Sequence, residues 1–225
     1  MIIRDVYALS SNDETKLADW VAYLLDKETV SGDVKTRRKW QADPWLSEEE
    51  TLEPDDYKKA HETLKVDRGH QAPLASFKGT KNWAETNFLS NITPQKSDLN
   101  QGPWLKLENK VRNLVKADNI VYVMTGPFFV KCMPCLPNAD EPHKVPSGYW
   151  KIIIVQADKT IDSIKCASFI FDQNTPRRDN LLDHLCTIND IEAKTGLDFL
   201  CELPDDMEEE IENSTYETWA LKNFE

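Results

Sequence analysis

The chain has 225 residues, of which 40% are hydrophobic and 29% are charged, a composition typical of globular proteins. This length accommodates one large domain or two small ones. No apolar run approaches the roughly 20 residues that a membrane-spanning helix needs, which excludes that class. The N-terminus lacks the basic start and long apolar core of a signal peptide, so we expect an intracellular protein or one whose leader is absent from this chain.

The formal net charge is −12, the wrong sign for simple attraction to nucleic acid. Acidic residues concentrate near the C-terminus, at Asp205, Asp206, Glu208, Glu209, Glu210 and Glu212. Basic residues cluster elsewhere, at Lys35, Arg37, Arg38 and Lys39, and again at Lys96, Lys106, Lys110 and Arg112. Two interpretations stay open: a basic groove on an acidic protein, or two solvated surface patches.

Hydrophobic periodicity predicts the elements in chain order. The first part of the chain predicts a strand over 2–9, a helix over 13–25, and irregular polar chain over 30–62 that ends in a short helix over 55–64. Residues 71–100 predict a long loop region with short strands or turns, which is uncommon unless it is functional. The remainder predicts a helix over 101–117, strands over 120–125, 149–155 and 164–171, and helices over 187–195, capped by Thr187 and stopped by Gly196, and over 205–213.

The helix over 101–117 carries the clearest pattern. Its apolar stripe consists of Trp104, Leu107, Val111, Leu114 and Val115. Glu108 and Arg112 fall one turn apart at the edge of this stripe, and Asn100 is expected to cap the helix from the same side. The pair is either an ordinary surface i,i+4 ion pair or part of a site beside Asn100.

Five cysteines leave at least one unpaired within the chain. Cys132 and Cys135 form a CxxC, for which a zinc site, a local disulfide and plain thiols are the alternatives; no second CxxC completes a four-ligand zinc site. Cys166 lies in an apolar run and is expected in the core.

A histidine in a charged, glycine-containing turn, Asp67-Arg68-Gly69-His70, precedes Asn100 by thirty residues. Neutral histidine accepts a proton from water near neutral pH. Gly69 is expected to permit a sharp turn that presents the ring. The other histidines, at 61, 143 and 184, have no comparable setting.

Hydrolysis of a phosphodiester requires a nucleophile, neutralised phosphate charge and a stabilised leaving oxygen. His70 suits the first task. Asn100 offers a neutral oxygen to a hydrated Mg²⁺, and Glu108 is placed to accept from that ion's waters. Arginines bind phosphate bidentately, which makes Arg38, Arg68 and Arg112 the expected clamps.

Several blocks of sequence closely resemble the DNA/RNA non-specific endonuclease family, within the ββα-metal nucleases. The strongest are 65–76, which contains the Asp-Arg-Gly-His motif, and the asparagine-rich block 87–102. Segments 18–23, 104–108, 171–176 and 203–206 are also similar. The resemblance covers most of the chain and implies an α+β fold, a single domain over 1–225 with an antiparallel sheet flanked by helices and a ββα-metal catalytic core.

The resemblance also implies roles, position by position. His70 is the general base, Asn100 the one direct protein ligand of Mg²⁺ (with Mn²⁺ as an alternative ion), and Glu108 holds a water of that ion. Arg38 stabilises the transition state or the leaving group. Arg68, Asn91 and Arg112 support phosphate or position the site. The family cuts DNA and RNA with little sequence preference and leaves 5′-phosphates.

Members are typically secreted, so the resemblance implies a secreted or periplasmic protein whose leader is absent from this chain, with a cytoplasmic location as the alternative. We expect DNA and RNA as partners, no membrane, a monomer or homodimer, and an unidentified protein inhibitor as a further candidate partner. Two rival functions stay open: the same chemistry in an intracellular toxin or defence effector, and a catalytically dead nucleic-acid-binding protein.

Overall fold

The computed structural model describes residues 1–33, 37–117, 119–156 and 164–225. Lys35 of the predicted basic cluster lies outside these ranges. Within them, every helix is too short or too polar to cross a bilayer.

A seven-stranded sheet forms the centre of the molecule, in the strand order β1-β2-β3-β6-β7-β8-β9. Each neighbouring pair is antiparallel. The strands are β1 (Ile2–Ile3), β2 (Ala8–Asn12), β3 (Leu17–Leu25), β6 (Ile120–Phe128), β7 (Gly148–Gln156), β8 (Ile164–Asp172) and β9 (Leu185–Cys186). The predicted strands over 120–125, 149–155 and 164–171 are confirmed.

Helices cover both faces of this sheet, as alternation along β7 shows. Tyr149 and Ile153 pack on the face covered by α4 (Leu105–Lys116) and α7 (Glu217–Phe224). Trp150 and Ile152 pack on the opposite face, against α5 (Ile188–Thr195) and α6 (Asp205–Glu212). Because successive side chains of a strand point to opposite faces, both faces of β7 are apolar. The α+β architecture with an antiparallel sheet is confirmed.

A second, two-stranded sheet lies apart from the first and leads into α4. Strand β4 (Val66–His70) pairs antiparallel with β5 (Ile92–Lys96), and His70 is opposite Ile92. The chain then turns through α3 (Ser97–Leu99) and a π-helical segment, Asn100–Trp104, into α4. Two strands followed by a helix give the expected ββα unit. Its apolar underside packs on Leu52, Tyr57 and Leu89.

The apolar stripe predicted over 101–117 is confirmed, because Trp104 and its four partners on α4 are all buried. The regular helix α4 begins only at Leu105, after a kink at Gly102. Helix α5 begins after Thr187, whose hydroxyl accepts a hydrogen bond from the backbone N–H of Asp190 at 3.1 Å. It ends at Gly196, whose φ of 71° is the left-handed conformation that glycine adopts readily. The acidic helix over 205–213 is also present, as α6.

The predicted helix over 13–25 is wrong, since this segment contains β3. Val21, Tyr23 and Leu25 are buried while Leu24 is 40% exposed, which is the two-residue period of a strand. Leucine and valine four residues apart satisfy both periods, so the helical interpretation gave Leu24 a core position that it lacks. The strand predicted over 2–9 is two shorter strands, in which Ile2 pairs with Leu9.

Three short or terminal helices complete the chain. The predicted helix over 55–64 is confined to α2 (Ala60–Leu64), and turns precede it. The sequence interpretation missed α1 (Lys27–Val30), which Asp26 caps, and α7 near the C-terminus.

Candidate active site

An open cleft of about 480 Å³ lies where the small sheet meets the start of α4. Its walls combine charged and amide side chains with a short apolar segment. The lining residues are Arg38, Arg68, His70, Pro73, Leu74, Ala75, Lys78, Asn100, Gln101, Leu105 and Glu108. Five of the seven candidate site residues therefore meet in one cleft: His70, Asn100, Glu108, Arg38 and Arg68.

His70 enters the cleft from the end of β4, not from a tight turn, so the predicted turn is wrong. Gly69 serves close packing instead. A Cβ at this position would lie 2.5 Å from Oε1 of Gln95 on the paired strand, inside van der Waals contact. A strand fixes a side chain more firmly than a mobile turn does, so the direction of the His70 ring is set by the sheet.

The His70 ring is half-buried and held from two sides. Its Nε2 lies 3.3 Å from Oδ1 of Asn87, and its ring centroid lies 5.2 Å from that of Trp40. Burial and the positive charge of Arg38 lower the pKa of His70 to about 4, although the Asn87 hydrogen bond acts in the opposite direction. The imidazole is therefore neutral near pH 7 and ready to accept a proton.

The orientation of Asn87 indicates which ring nitrogen is free to accept a proton. Its amide nitrogen donates to the carbonyl oxygen of Ala84 at 3.3 Å, which leaves its oxygen facing His70. A neutral imidazole then donates from Nε2 to that oxygen, and Nδ1 carries the free lone pair.

Asn100 has helical dihedral angles, φ −57° and ψ −45°, at the end of α3 and before a kink at Gly102, so its predicted role as an N-cap is wrong. Its amide nitrogen donates to Oδ2 of Asp67 at 3.0 Å. No donor among the described residues reaches its Oδ1. Because the carboxylate takes the NH₂ end, the amide oxygen is the end left for a ligand in the cleft.

Asp67 organises this side of the site without lining the cleft. Besides Asn100, it accepts from Nε2 of Gln101 at 2.7 Å and from Oγ of Ser97 at 2.8 Å. Burial raises the pKa of Asp67, but these hydrogen bonds and one from His61 together hold it below its ordinary value. The carboxylate stays ionised and keeps Asn100 in one orientation.

Glu108 stands on one side of the cleft, on the first turn of α4. Burial raises the pKa of its carboxyl, while the positive charges of Lys151, Arg112 and Arg38 act to lower it. Lys151 is fully buried on β7, with its ammonium 4.3 Å from the centre of the Trp104 ring. Burial also lowers the pKa of Lys151, to about 8, so it is protonated at neutral pH.

The donor set fits a hard divalent cation. Asn100 offers an amide oxygen without a protein donor, and Glu108 offers a carboxylate in the same cleft. Such cations prefer oxygen ligands, and Mg²⁺ keeps most of its own waters when the protein offers few. No thiol or free imidazole nitrogen beyond His70 lines the cleft, which disfavours a zinc-type site in the described residues.

Two arginines face the cleft from different supports. Arg68 donates from Nη2 to the carbonyl oxygen of Pro54 at 2.7 Å and lies over the Tyr57 ring. Arg38 is exposed, with its guanidinium 5.1 Å from the Trp40 ring centre. Arg68 is thus held in place, whereas Arg38 is the accessible cation of the pair.

Asn91 and Arg112, the remaining candidates, do not line the cleft. Asn91 is fully buried. Its side-chain oxygen accepts a hydrogen bond from the N–H of Ala72 at 2.8 Å, and its side-chain nitrogen donates one to the carbonyl oxygen of Ala72 at 2.9 Å. Arg112 donates to Ser76 at 3.2 Å and lies 3.9 Å from Glu108. Both positions suit support of the cleft walls rather than contact with substrate.

Sequence reasoning missed two partners of His70, namely Trp40 and Asn87. It also missed the cleft residues Lys78 and Gln101. Asn87 opens the asparagine-rich block and Trp40 ends the basic segment, so membership of these blocks was the available signal. Their contact with His70 was not visible in the chain.

A separate acidic cluster lies outside the cleft. Carboxylate oxygens of Glu53, Asp56, Asp140 and Glu141 lie within 4.8 Å of one another. Burial and mutual repulsion raise the pKa of Glu53 to about 7. Carboxylates in this arrangement are able to bind a cation, but they are not the groups that face His70.

The cysteines take no part in the cleft. Cys132 and Cys135 are exposed free thiols, which agrees with the thiol alternative and not with a disulfide. Cys166 is fully buried, as expected of a core residue.

A model of the DNA/RNA non-specific endonuclease family matches residues 1–206. The nuclease of Serratia marcescens is 46% identical over 209 residues, which cover 92% of this chain and 77% of that protein. Human mitochondrial endonuclease G is 30% identical over 170 residues, which cover 68% of this chain and 54% of that protein. A crystal structure of the EndoG/EndoGI complex, which concerns the mechanism of EndoG inhibition, matches this chain with a TM-score of 0.78 at 23% sequence identity. The match covers 92% of this chain and 87% of that chain, and it shows the same fold.

The matched segment contains every cleft residue described above, from Arg38 to Glu108. It also spans both sheets and the ββα unit. The extent of this match and the identity to the Serratia nuclease agree with the geometry of the cleft, and the chain belongs to the DNA/RNA non-specific endonuclease family of hydrolases.

Proposed function

We propose that this enzyme hydrolyses phosphodiester bonds of both DNA and RNA with Mg²⁺, or with Mn²⁺ in its place, and leaves 5′-phosphates. One observation carries the proposal. A neutral imidazole, an amide oxygen without a protein donor and two guanidinium groups line the same cleft.

His70 begins the reaction by taking a proton from a water molecule at Nδ1 while the water oxygen attacks phosphorus. The bond between phosphorus and the 3′ oxygen breaks, and the 3′ oxygen takes a proton from solvent. The phosphate stays on the 5′ carbon of the downstream nucleotide, so the products end in a 3′-hydroxyl and a 5′-phosphate. Asn87 keeps Nε2 as the donor and Nδ1 as the base throughout.

The arginines offset the charge that develops on phosphate. Arg38 is exposed at the cleft mouth, where it reaches a phosphate oxygen without losing an existing bond. Arg68 is fixed by Pro54 and contributes a positive charge that does not need to reorganise during the reaction.

Asn100 and Glu108 would hold the cation, Asn100 as a direct ligand through Oδ1 and Glu108 through water. When bound, Mg²⁺ supplies Lewis-acid neutralisation of the phosphate and stabilises the leaving oxygen. Asp67 orients Asn100, and the buried positive charge of Lys151 favours the ionised form of Glu108.

Low sequence preference follows from the composition of the cleft. Its polar groups are those that recognise phosphate, and phosphate contacts carry no base information. The apolar wall of Pro73, Leu74 and Ala75 offers shape without hydrogen-bond readout. Both sugars are therefore expected to be accepted.

Mass spectrometry of the product ends tests this chemistry. A DNA and an RNA oligonucleotide of the same sequence are digested, and 5′-phosphate and 3′-hydroxyl ends are expected on both. A 2′,3′-cyclic phosphate on the RNA would mean that the ribose hydroxyl, not water, attacks phosphorus, and would refute the role of His70 as the base that activates water.

Location and protein partners form a separate proposal. We place the enzyme outside the cytoplasm, secreted or in the periplasm, on its resemblance to a family of typically secreted nucleases. The alternative is an intracellular toxin or defence effector, which needs an inhibitor to protect its own cell. The EndoG/EndoGI complex supports an inhibitor as a partner for this fold. Co-purification of a tightly bound inhibitor would favour the intracellular alternative.

A further inference from the structure

A second groove, of about 440 Å³, continues from the active-site cleft along the outer side of α4. The two share Gln101 and Leu105, so they adjoin at the start of α4. The groove is lined by Gln101, Gly102, Pro103, Leu105, Lys106, Asn109, Lys110, Asn113, Arg177, Arg178 and Asp179. It therefore presents four cations on a chain whose formal charge is −12.

We propose that this basic groove binds the phosphodiester backbone of the polynucleotide strand on one side of the bond being cut. The inference rests on the proposed function and extends it from the scissile phosphate to its neighbours. The ligand class is a single strand's phosphates, in DNA or RNA, bound without regard to base.

The charges of the groove are available to a ligand. The side chains of Lys106 and Arg178 are exposed, and they make no hydrogen bond or ion pair within the part of the chain that the structure describes. The carboxylate of Asp179, which also lines the groove, lies 3.3 Å from Nε2 of His184. Lys110 contacts a backbone oxygen of Glu225, so Lys106 and Arg178 are the two cations on which the test depends.

The groove is tied structurally to the candidate metal ligand. The amide of Gln101 donates to Asp67 at 2.7 Å and accepts from Nη2 of Arg177 at 3.0 Å. Asp67 in turn orients Asn100. One hydrogen-bonded chain thus fixes the position of the groove relative to the reacting phosphate.

Gly102 closes the floor of the groove. A Cβ at this position would lie 2.4 Å from the carbonyl oxygen of Arg177, a backbone atom that has no freedom to swing aside. The absence of a side chain lets the segment that carries Arg177 and Arg178 pack directly on the helical turn beside Asn100.

The dimensions match a short run of nucleotides. Along α4 the groove runs from Leu105 to Asn113, eight helical steps, which correspond to about 12 Å at 1.5 Å per residue. One strand of a duplex advances about 3.4 Å along the axis per phosphate, so this length corresponds to roughly three phosphates beyond the cut. A dinucleotide is too short to use it.

The test compares two double variants with equal loss of charge. Lys106→Gln with Arg178→Gln removes two groove cations. Lys116→Gln with Lys222→Gln removes two exposed cations that line neither cavity and serves as the control. Binding of a fluorescent 20-nucleotide DNA is measured in EDTA over a salt series, and cleavage of the 20-mer and of a dinucleotide is measured with Mg²⁺.

For the groove variant, we expect the slope of log affinity against log salt to fall by about 1.4, since two contacts contribute about 0.7 each on a single strand, with about 25-fold weaker binding near 0.1 M salt. Its loss of kcat/KM on the 20-mer should exceed that on the dinucleotide by a similar factor. The control should match wild type in slope and in both rates.

Equal weakening in both variants would overturn the proposal, because net charge rather than the groove would then control binding. An unchanged slope in the groove variant would also overturn it, as would equal losses on both substrates. Binding in EDTA does not depend on turnover. A wild-type enzyme that binds but cuts neither substrate would therefore refute the proposed function while leaving the groove to be judged by its salt slope.

Discussion

The low pKa of His70 predicts that this residue, in its proposed role as base, keeps working in mild acid. Burial and the charge of Arg38 lower this pKa to about 4. Because the folded-state pKa is lowered, the neutral ring is present above about pH 4 and is lost only as the pH falls through that value. At pH 5.5 the ring would be roughly 97% neutral, against roughly 9% for a histidine with the ordinary pKa of about 6.5.

Glu108 complicates the pH profile of the wild-type enzyme, because burial raises the pKa of its carboxyl. As the pH falls, Glu108 is therefore protonated before His70, and we expect this first protonation to reduce activity. Glu108→Gln removes this titration. We expect the variant to be slow, with a kcat/KM that stays within about twofold between pH 7 and pH 5.5, as the neutral fraction of His70 requires.

The assay is the initial rate on a short duplex from pH 4.5 to 8 at fixed Mg²⁺, together with an NMR titration of the His70 ring in EDTA. A roughly tenfold fall in the Glu108→Gln variant between pH 7 and pH 5.5, with a ring midpoint near 6.5, would refute the reasoning, since that is the behaviour of an unperturbed histidine.

The remaining predictions concern single groups. His70→Ala should lower kcat by about 10²–10⁴-fold with little change in melting temperature or DNA affinity; a rate above a tenth of wild type would remove it from the role of base. Asn100→Ala should lose activity that added Mg²⁺ restores poorly, whereas Glu108→Ala should lose about 10–100-fold and respond better to Mg²⁺; the reverse order in a metal titration would exchange their roles. Replacing Cys132 and Cys135 by Ser should leave the rate per folded molecule within about twofold, because both thiols lie outside the cleft; a folded but inactive variant would assign them a redox or metal function.

The hydrophobic pattern predicted correctly those helices and strands whose spacing of apolar residues fits only one kind of secondary structure. The α4 stripe is buried along its whole length because its apolar residues recur at helical spacing and at no other. Strand β3 failed the same test, because Leu17, Val21 and Leu25 fit either a helix or a strand. Pairing with β2 and β6 decided the matter, and such pairing is not encoded within the segment.

The chemistry of the site was predictable as a set of residue types but not as an environment. Contacts distant in sequence, such as Asn87 with His70 and Asp67 with Asn100, fix which atoms face the cleft. The depressed pKa of His70 also arises only after folding, since burial is its largest cause. Asn100 illustrates the limit. Its position before a helix favours a cap, yet its own backbone is already helical at the end of α3, and its amide nitrogen donates to Asp67.

The most direct test of the central claim digests a supercoiled plasmid and an RNA transcript in parallel, with wild type and His70→Ala prepared identically. The account predicts that wild type cuts both polymers in Mg²⁺ and neither in EDTA, and that His70→Ala loses both activities by the same factor. Cleavage of only one polymer, cleavage that survives EDTA, or a His70→Ala enzyme as active as wild type would contradict the assignment of this cleft to metal-dependent hydrolysis of both nucleic acids.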